Sequence, residues 1–93
     1  MFRGFKIKRA HRELRKEYAS NGLCAWDVKN KDSRYRLGIT LSWKGKYDEV
    51  VDREIATISR LTRIIGEKFD LDTNISIPIF SAGGAYAVYV GLI

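Results

Sequence analysis

Residues 73–93 contain no charged side chain, in a protein of 93 residues whose formal net charge is +6. A surface made of such a stretch would be a large apolar patch, so it must be buried in a folded core or placed in a membrane. Twenty residues reach the length of a spanning helix, but Pro78, Gly83, Gly84 and Gly91 interrupt one, and the Ile, Val and Tyr content favours strands. The pattern predicts two strands, 75–80 and 85–92, joined by Ser81-Ala82-Gly83-Gly84, whose glycines accept the positive φ of a tight hairpin. Ile75, Ile77 and Ile79 share one face, as do Tyr86, Val88, Val90 and Leu92. Pro78 cannot donate a ladder hydrogen bond and places its strand at a sheet edge or a bulge. The strand 85–92 is long and uncharged, so it is either central in its sheet or paired across a homodimer interface.

The remainder of the chain supplies the partners of this hairpin. Residues 1–22 read as a helix in which Ile7, Ala10, His11, Leu14 and Tyr18 fall on one arc, and Lys8, Arg9, Arg12, Arg15 and Lys16 on the opposite one. Ser20-Asn21-Gly22 closes it, because Asn and Gly tolerate the left-handed conformation of a helix C-cap. A second hairpin follows, 23–28 and 34–43, turning at residues 29–33. In its second strand Tyr35, Leu37, Ile39, Leu41 and Trp43 alternate with Arg34, Arg36, Gly38, Thr40 and Ser42. A second helix spans 48–68, with Asp48, Glu49 and Asp52 near its positive end and an apolar arc of Val51, Ile55, Ile58, Leu61, Ile65 and Phe69. The expected architecture is a single α+β domain over 1–93. It is a two-layer sandwich of order αββαββ, with a largely antiparallel four-stranded sheet and both helices on one face. The alternative makes residues 2–8 a strand, giving βαββαββ, a ferredoxin-like plan with one added strand.

Catalytic groups are scarce. With one His and one Cys, the chain has no pair at metal-ligand spacing, and both read as packed residues, not as base and nucleophile. Glu54 lies near the centre of the second helix's apolar arc, where a carboxylate must be paired; a rim position meeting Arg36 satisfies it. Gly83-Gly84 leads into a strand and no Gly-Lys-Ser/Thr follows, which excludes a phosphate-binding loop. The reading is therefore of a protein that is not an enzyme and that requires no cofactor or metal. The lone Cys24 suits a reducing, cytoplasmic setting, and the opening Met1-Phe2-Arg3-Gly4 lacks the pattern of a secretory leader.

Charge carries the functional signal. Residues 1–46 hold 13 Lys/Arg against four Asp/Glu, whereas residues 47–93 hold four against seven. One cationic group is the helix stripe Lys8, Arg9, Arg12, Arg15 and Lys16. A second, Lys29, Lys31, Arg34, Arg36, Lys44 and Lys46, is interleaved with Tyr35, Trp43 and Tyr47. Cations meet phosphates and aromatic faces stack on unpaired bases, so the expected function is nucleic-acid binding, with RNA or single strands favoured. The alternative is a protein-binding inhibitor or adaptor, of the type used by phages and other mobile elements. It would dock the basic face on an acidic surface that itself receives nucleic acid, with Trp26 or Trp43 as anchor. The arc assignment has a direct check. Ile58→Asp places a charge in the predicted core, and its circular dichroism melt should lose the cooperative transition of the parent.

Overall fold

In the computed structural model, which describes residues 2–28, 37–42, 47–76 and 85–93, the chain forms a small α+β domain with two helices and a short antiparallel sheet. The elements are α1 (Phe2–Ser20), β1 (Ala25–Asp27), β2 (Leu37–Ser42), α2 (Tyr47–Phe69), β3 (Thr73–Ser76) and β4 (Ala85–Leu92). Residues 2–8 are helical, so the alternative with a leading strand is not the one adopted. The strands pair antiparallel in the order β1-β2-β4-β3. β4 is thus central, which accounts for its lack of charge without a dimer, and β3, which leads toward Pro78, lies at an edge. Pro78 itself, the turns at 29–33 and 81–84, and Tyr35, Trp43, Ile77 and Ile79 lie outside the described residues.

One buried cluster holds the elements together. Ala10, Leu14 and Tyr18 of α1, Ile58, Leu61 and Ile65 of α2, Leu37 and Ile39 of β2, and Val88, Val90 and Leu92 of β4 belong to it, joined by Leu23. The register places Leu37 opposite Val90 and Ile39 opposite Val88, so these side chains share one sheet face. Each such side chain contributes about 1.5–3 kcal/mol when fully buried. The exposed ion pairs Arg15–Asp27, from α1 to β1, and Lys68–Glu13, from α2 to α1, contribute far less, because solvent screens them. They orient; the apolar cluster stabilises.

The two helices run antiparallel, since Tyr18 meets Thr62 while the earlier Glu13 meets the later Lys68. Both end in the same Schellman arrangement. At the end of α1, Leu23 N–H donates to Tyr18 O (2.9 Å) and Gly22 N–H to Ala19 O (3.1 Å), with Gly22 at φ 75°. At the end of α2, Leu71 N–H donates to Gly66 O (2.8 Å) and Asp70 N–H to Glu67 O (3.3 Å). The left-handed position there is taken by Asp70 at φ 54°, a conformation an acid tolerates through its short polar side chain. Gly66 is needed for a different reason. A Cβ at that position would lie 2.8 Å from Thr73 Cγ2 and 3.0 Å from the Leu71 carbonyl oxygen, so its absence lets α2 pack directly on the start of β3.

Tyr18 is fully buried, with its hydroxyl 2.6 Å from Thr62 Oγ1. The Thr62 hydroxyl donates to Ile58 O at 2.5 Å, so its single hydrogen is committed and Tyr18 must be the donor. Burial pushes the Tyr18 phenol well above its ordinary value near 10, since the phenolate would be desolvated and the phenol would lose the hydrogen it donates to Thr62. A phenol with its folded value raised leaves stability intact below the unfolded value and removes it as pH climbs past about 10. Tyr18→Phe should therefore cost about 1 kcal/mol near neutral pH. The variant should lose less stability than the parent on going to about pH 11, as read by urea midpoints at the two pH values.

Candidate nucleic-acid interface

α1 is a helix of good helix formers whose last three turns are anchored by Ala10, Leu14 and Tyr18. Its first two turns are different. None of residues 4–9 is buried, and no acid occupies the first turn, where the helix dipole would favour one. The cations of the stripe follow the arc opposite the core: Lys8, Arg9, Arg12, Arg15 and Lys16 are all exposed. Phe5, 76% exposed, falls among them, one turn from Arg9 and two from Arg12. Its position at the helix spacing of the cations is the signal that could have singled it out in the sequence.

The stripe is not uniform. Arg15 is held by Asp27 of β1, which fixes it at the flank facing the sheet edge. On the other flank Arg9, Arg12 and Lys16 line an open cleft together with Glu13, Glu17 and Lys68. Lys68 is bonded to Glu13, so the cleft gathers four cations about two carboxylates, one of them already engaged. Such a groove offers an anion charge-assisted hydrogen bonds from two helices. Of the second cationic group, Lys29, Lys31, Arg34, Arg36, Lys44 and Lys46 lie outside the described residues, and Tyr47 opens α2 with its side chain outside them too.

His11 and Cys24 part company. Cys24 is exposed, contrary to the expectation that it packs, because the buried Leu23 and half-buried Ala25 on either side turn it outward. His11 is buried and serves the sheet. Its Nδ1 lies 2.8 Å from Ile7 O and its Nε2 accepts from Leu92 N–H at 3.2 Å. A carbonyl can only accept, so Nδ1 carries the proton and the ring is the neutral Nδ1–H tautomer. Successive N–H groups of a strand point to opposite sides, and Ile93 N–H is bonded to Asp72 O. Leu92 N–H faces the other way, where the imidazole of α1 takes it. Glu54 is half-buried at the margin of the α2 arc; Arg36, its expected partner, is outside the described residues. Among the described residues no group of three His, Cys, Asp or Glu side chains is placed to hold a metal ion, and no helix is long and apolar enough to cross a membrane.

No family model, no curated protein and no solved structure matches this chain. The site is therefore read from its own chemistry. His11→Phe keeps the ring volume but leaves Leu92 N–H buried without its acceptor, and should cost about 1–3 kcal/mol at neutral pH. Urea unfolding with an unchanged slope would measure it; a midpoint equal to the parent's would show that the bond is dispensable.

Proposed function

We propose that the protein binds nucleic acid, contacting phosphates through the exposed face of α1. The observation that supports this reading best is the combination on one helix face of Lys8, Arg9, Arg12 and Lys16 with the exposed Phe5. Like charges spaced three or four residues apart on one helix face repel and destabilise the free protein slightly. A polyanion reverses the sign of that effect, and each phosphate neutralised releases counterions. The aromatic ring adds a stacking surface at the same place. The architecture we infer for the whole chain is a two-layer sandwich with both helices on one face of a four-stranded sheet, which puts the stripe on the outer side of the helical layer. The sequence adds a second cationic group, Lys29, Lys31, Arg34 and Arg36, between β1 and β2.

The test is a titration of labelled single- and double-stranded DNA and RNA at several salt concentrations. Affinity should fall steeply with salt. Arg12→Glu combined with Lys16→Glu, two exposed positions whose reversal leaves the core untouched, should weaken all sequences about equally. The log–log salt slope should drop by about 0.7 for each phosphate of a single strand that the variant no longer neutralises. Dissociation constants no tighter than about 10⁻⁴ M for every probe near 150 mM salt would overturn the reading. A single tight protein partner recovered under the same conditions would then establish the alternative, a domain that docks its basic face on an acidic protein surface.

A further inference from the structure

α2 lies in the half of the chain where acids outnumber bases, yet its middle carries only positive charge. From Ile55 to Gly66 the charged side chains are Arg60 and Arg63 alone. At the helical period these two, with Arg53 before them, fall on the arc opposite the buried Ile58, Leu61, Thr62 and Ile65. All three are exposed, and among the described residues no ion pair holds them. The packing of the helices relates this row to the stripe on α1. Because Tyr18 meets Thr62 and Glu13 meets Lys68, Lys16 stands level with Ile64 and Ile65, and the last turn of α1 stands level with Arg63 and Arg60. The cations of the two helices therefore follow one another. Arg9, Arg12 and Lys16 lead down α1 along the cleft that Lys68 also lines, and Arg63, Arg60 and Arg53 continue on α2 toward and past the level where α1 ends. From Arg9 to Arg53 this line covers roughly 30 Å along the helix axes and steps sideways once, by an interhelical distance of about 8–10 Å. Ile64, 47% exposed, lies at the step, with Arg60 one turn before it and Lys68 one turn after. Acids stand beside the line: Glu13 and Glu17 in the cleft, Glu67 and Asp70 toward the end of α2, and Asp52 next to Arg53.

We propose that the interface is one oblique track over both helices, in which Arg60 and Arg63 of α2 bind the backbone of a single strand that α1 receives at Arg9, Arg12 and Lys16. The track presupposes the nucleic-acid reading of α1, and it adds a second helix and a preferred form of ligand. Charge complementarity selects that form. A single line of cations with carboxylates to either side matches one row of phosphates, whereas the second backbone of a duplex would lie over the carboxylates. A duplex is also stiff over about 150 base pairs, so it cannot follow the sideways step between the helices; a single strand can. The exposed Phe5, one turn before Arg9, and Ile64, at the step, give the bases of that strand apolar surface beside the line.

The experiment measures salt slopes by fluorescence anisotropy with two fluorescein-labelled probes, an oligothymidylate of about 16 nucleotides, the upper site size of a small binding domain, and a duplex of the same length. Arg60→Gln combined with Arg63→Gln should lower the single-strand log–log slope by about 1.4, about 0.7 for each phosphate no longer neutralised, and should lower the duplex slope by less. An unchanged single-strand slope would overturn the track and leave the α1 reading standing. The same decision can be taken on the unaltered protein, where the nuclear magnetic resonance signals of the Arg60 and Arg63 Nε–H groups should shift as the oligothymidylate is added; signals that stay in place would overturn the track. An equal fall in slope for the duplex would overturn the choice of a single strand. Failure of the parent to bind either probe would overturn the α1 reading, and the track with it.

Discussion

The two-residue period of β4 governs both sides of this protein. β4 pairs with β2 on one side and β3 on the other, so every second side chain along it is committed to the apolar cluster that α1 and α2 share. Val88, Val90 and Leu92 take that role. A slip of one residue would exchange all three for Ala87, Tyr89 and Gly91, burying a phenol and leaving voids where branched side chains stand. The same commitment sends Tyr89 to the far face, and the register against β2 places a glycine between it and Trp26. The core and the edge-to-face pair of Trp26 and Tyr89 are thus two consequences of one alternation.

The helical layer answers to a different balance. α1 is fastened along its last three turns by burial, by Tyr18 against Thr62 and by the imidazole of His11 on the end of β4. Its first turns gain none of this. No acid stands in the first turn, where one would stabilise the helix by several tenths of a kcal/mol, and an exposed aromatic ring and like charges a turn apart follow. In the isolated domain these like charges work slightly against the fold. In the cleft shared with Lys68, too, cations outnumber carboxylates.

Polar groups inside the domain are arranged so that none is stranded. Among the described residues no buried side-chain nitrogen or oxygen lacks a partner. The chain Tyr18 to Thr62 to Ile58 O links the two helices through one donor each, and the His11 tautomer is dictated by the carbonyl on one side and the amide on the other. These contacts fix the relative rotation of α1 against α2 and β4 more narrowly than apolar packing can, because hydrogen bonds weaken steeply with angle. That rotation decides which cations of α1 face the cleft and which face the edge of β1.

Periodicity and turn chemistry made much of this legible in advance. The helical arcs of α1 and α2, the alternation of Leu37 and Ile39, the strand at Ala85–Leu92 and the Gly22 cap follow from local patterns, and each is where those patterns put it. β3 begins at Thr73 and not at Ile75, because Asp72 already pairs with Ile93 and draws the polar residues before Ile75 into the ladder. The exposure of Cys24, the left-handed Asp70 and the close approach that requires Gly66 carried no such pattern. Each depends on what a neighbouring element brings up against the residue. His11 and Leu92 are 81 residues apart, and Trp26 and Tyr89 are separated by an intervening strand. A sequence by itself determines which residues share a face of one helix or one strand, since that is set by bonds a few residues long. Only the tertiary structure decides which faces meet, because strand register and helix rotation are settled by the whole core at once, and the Trp26–Tyr89 ring pair and the amide-bound histidine are products of that settlement.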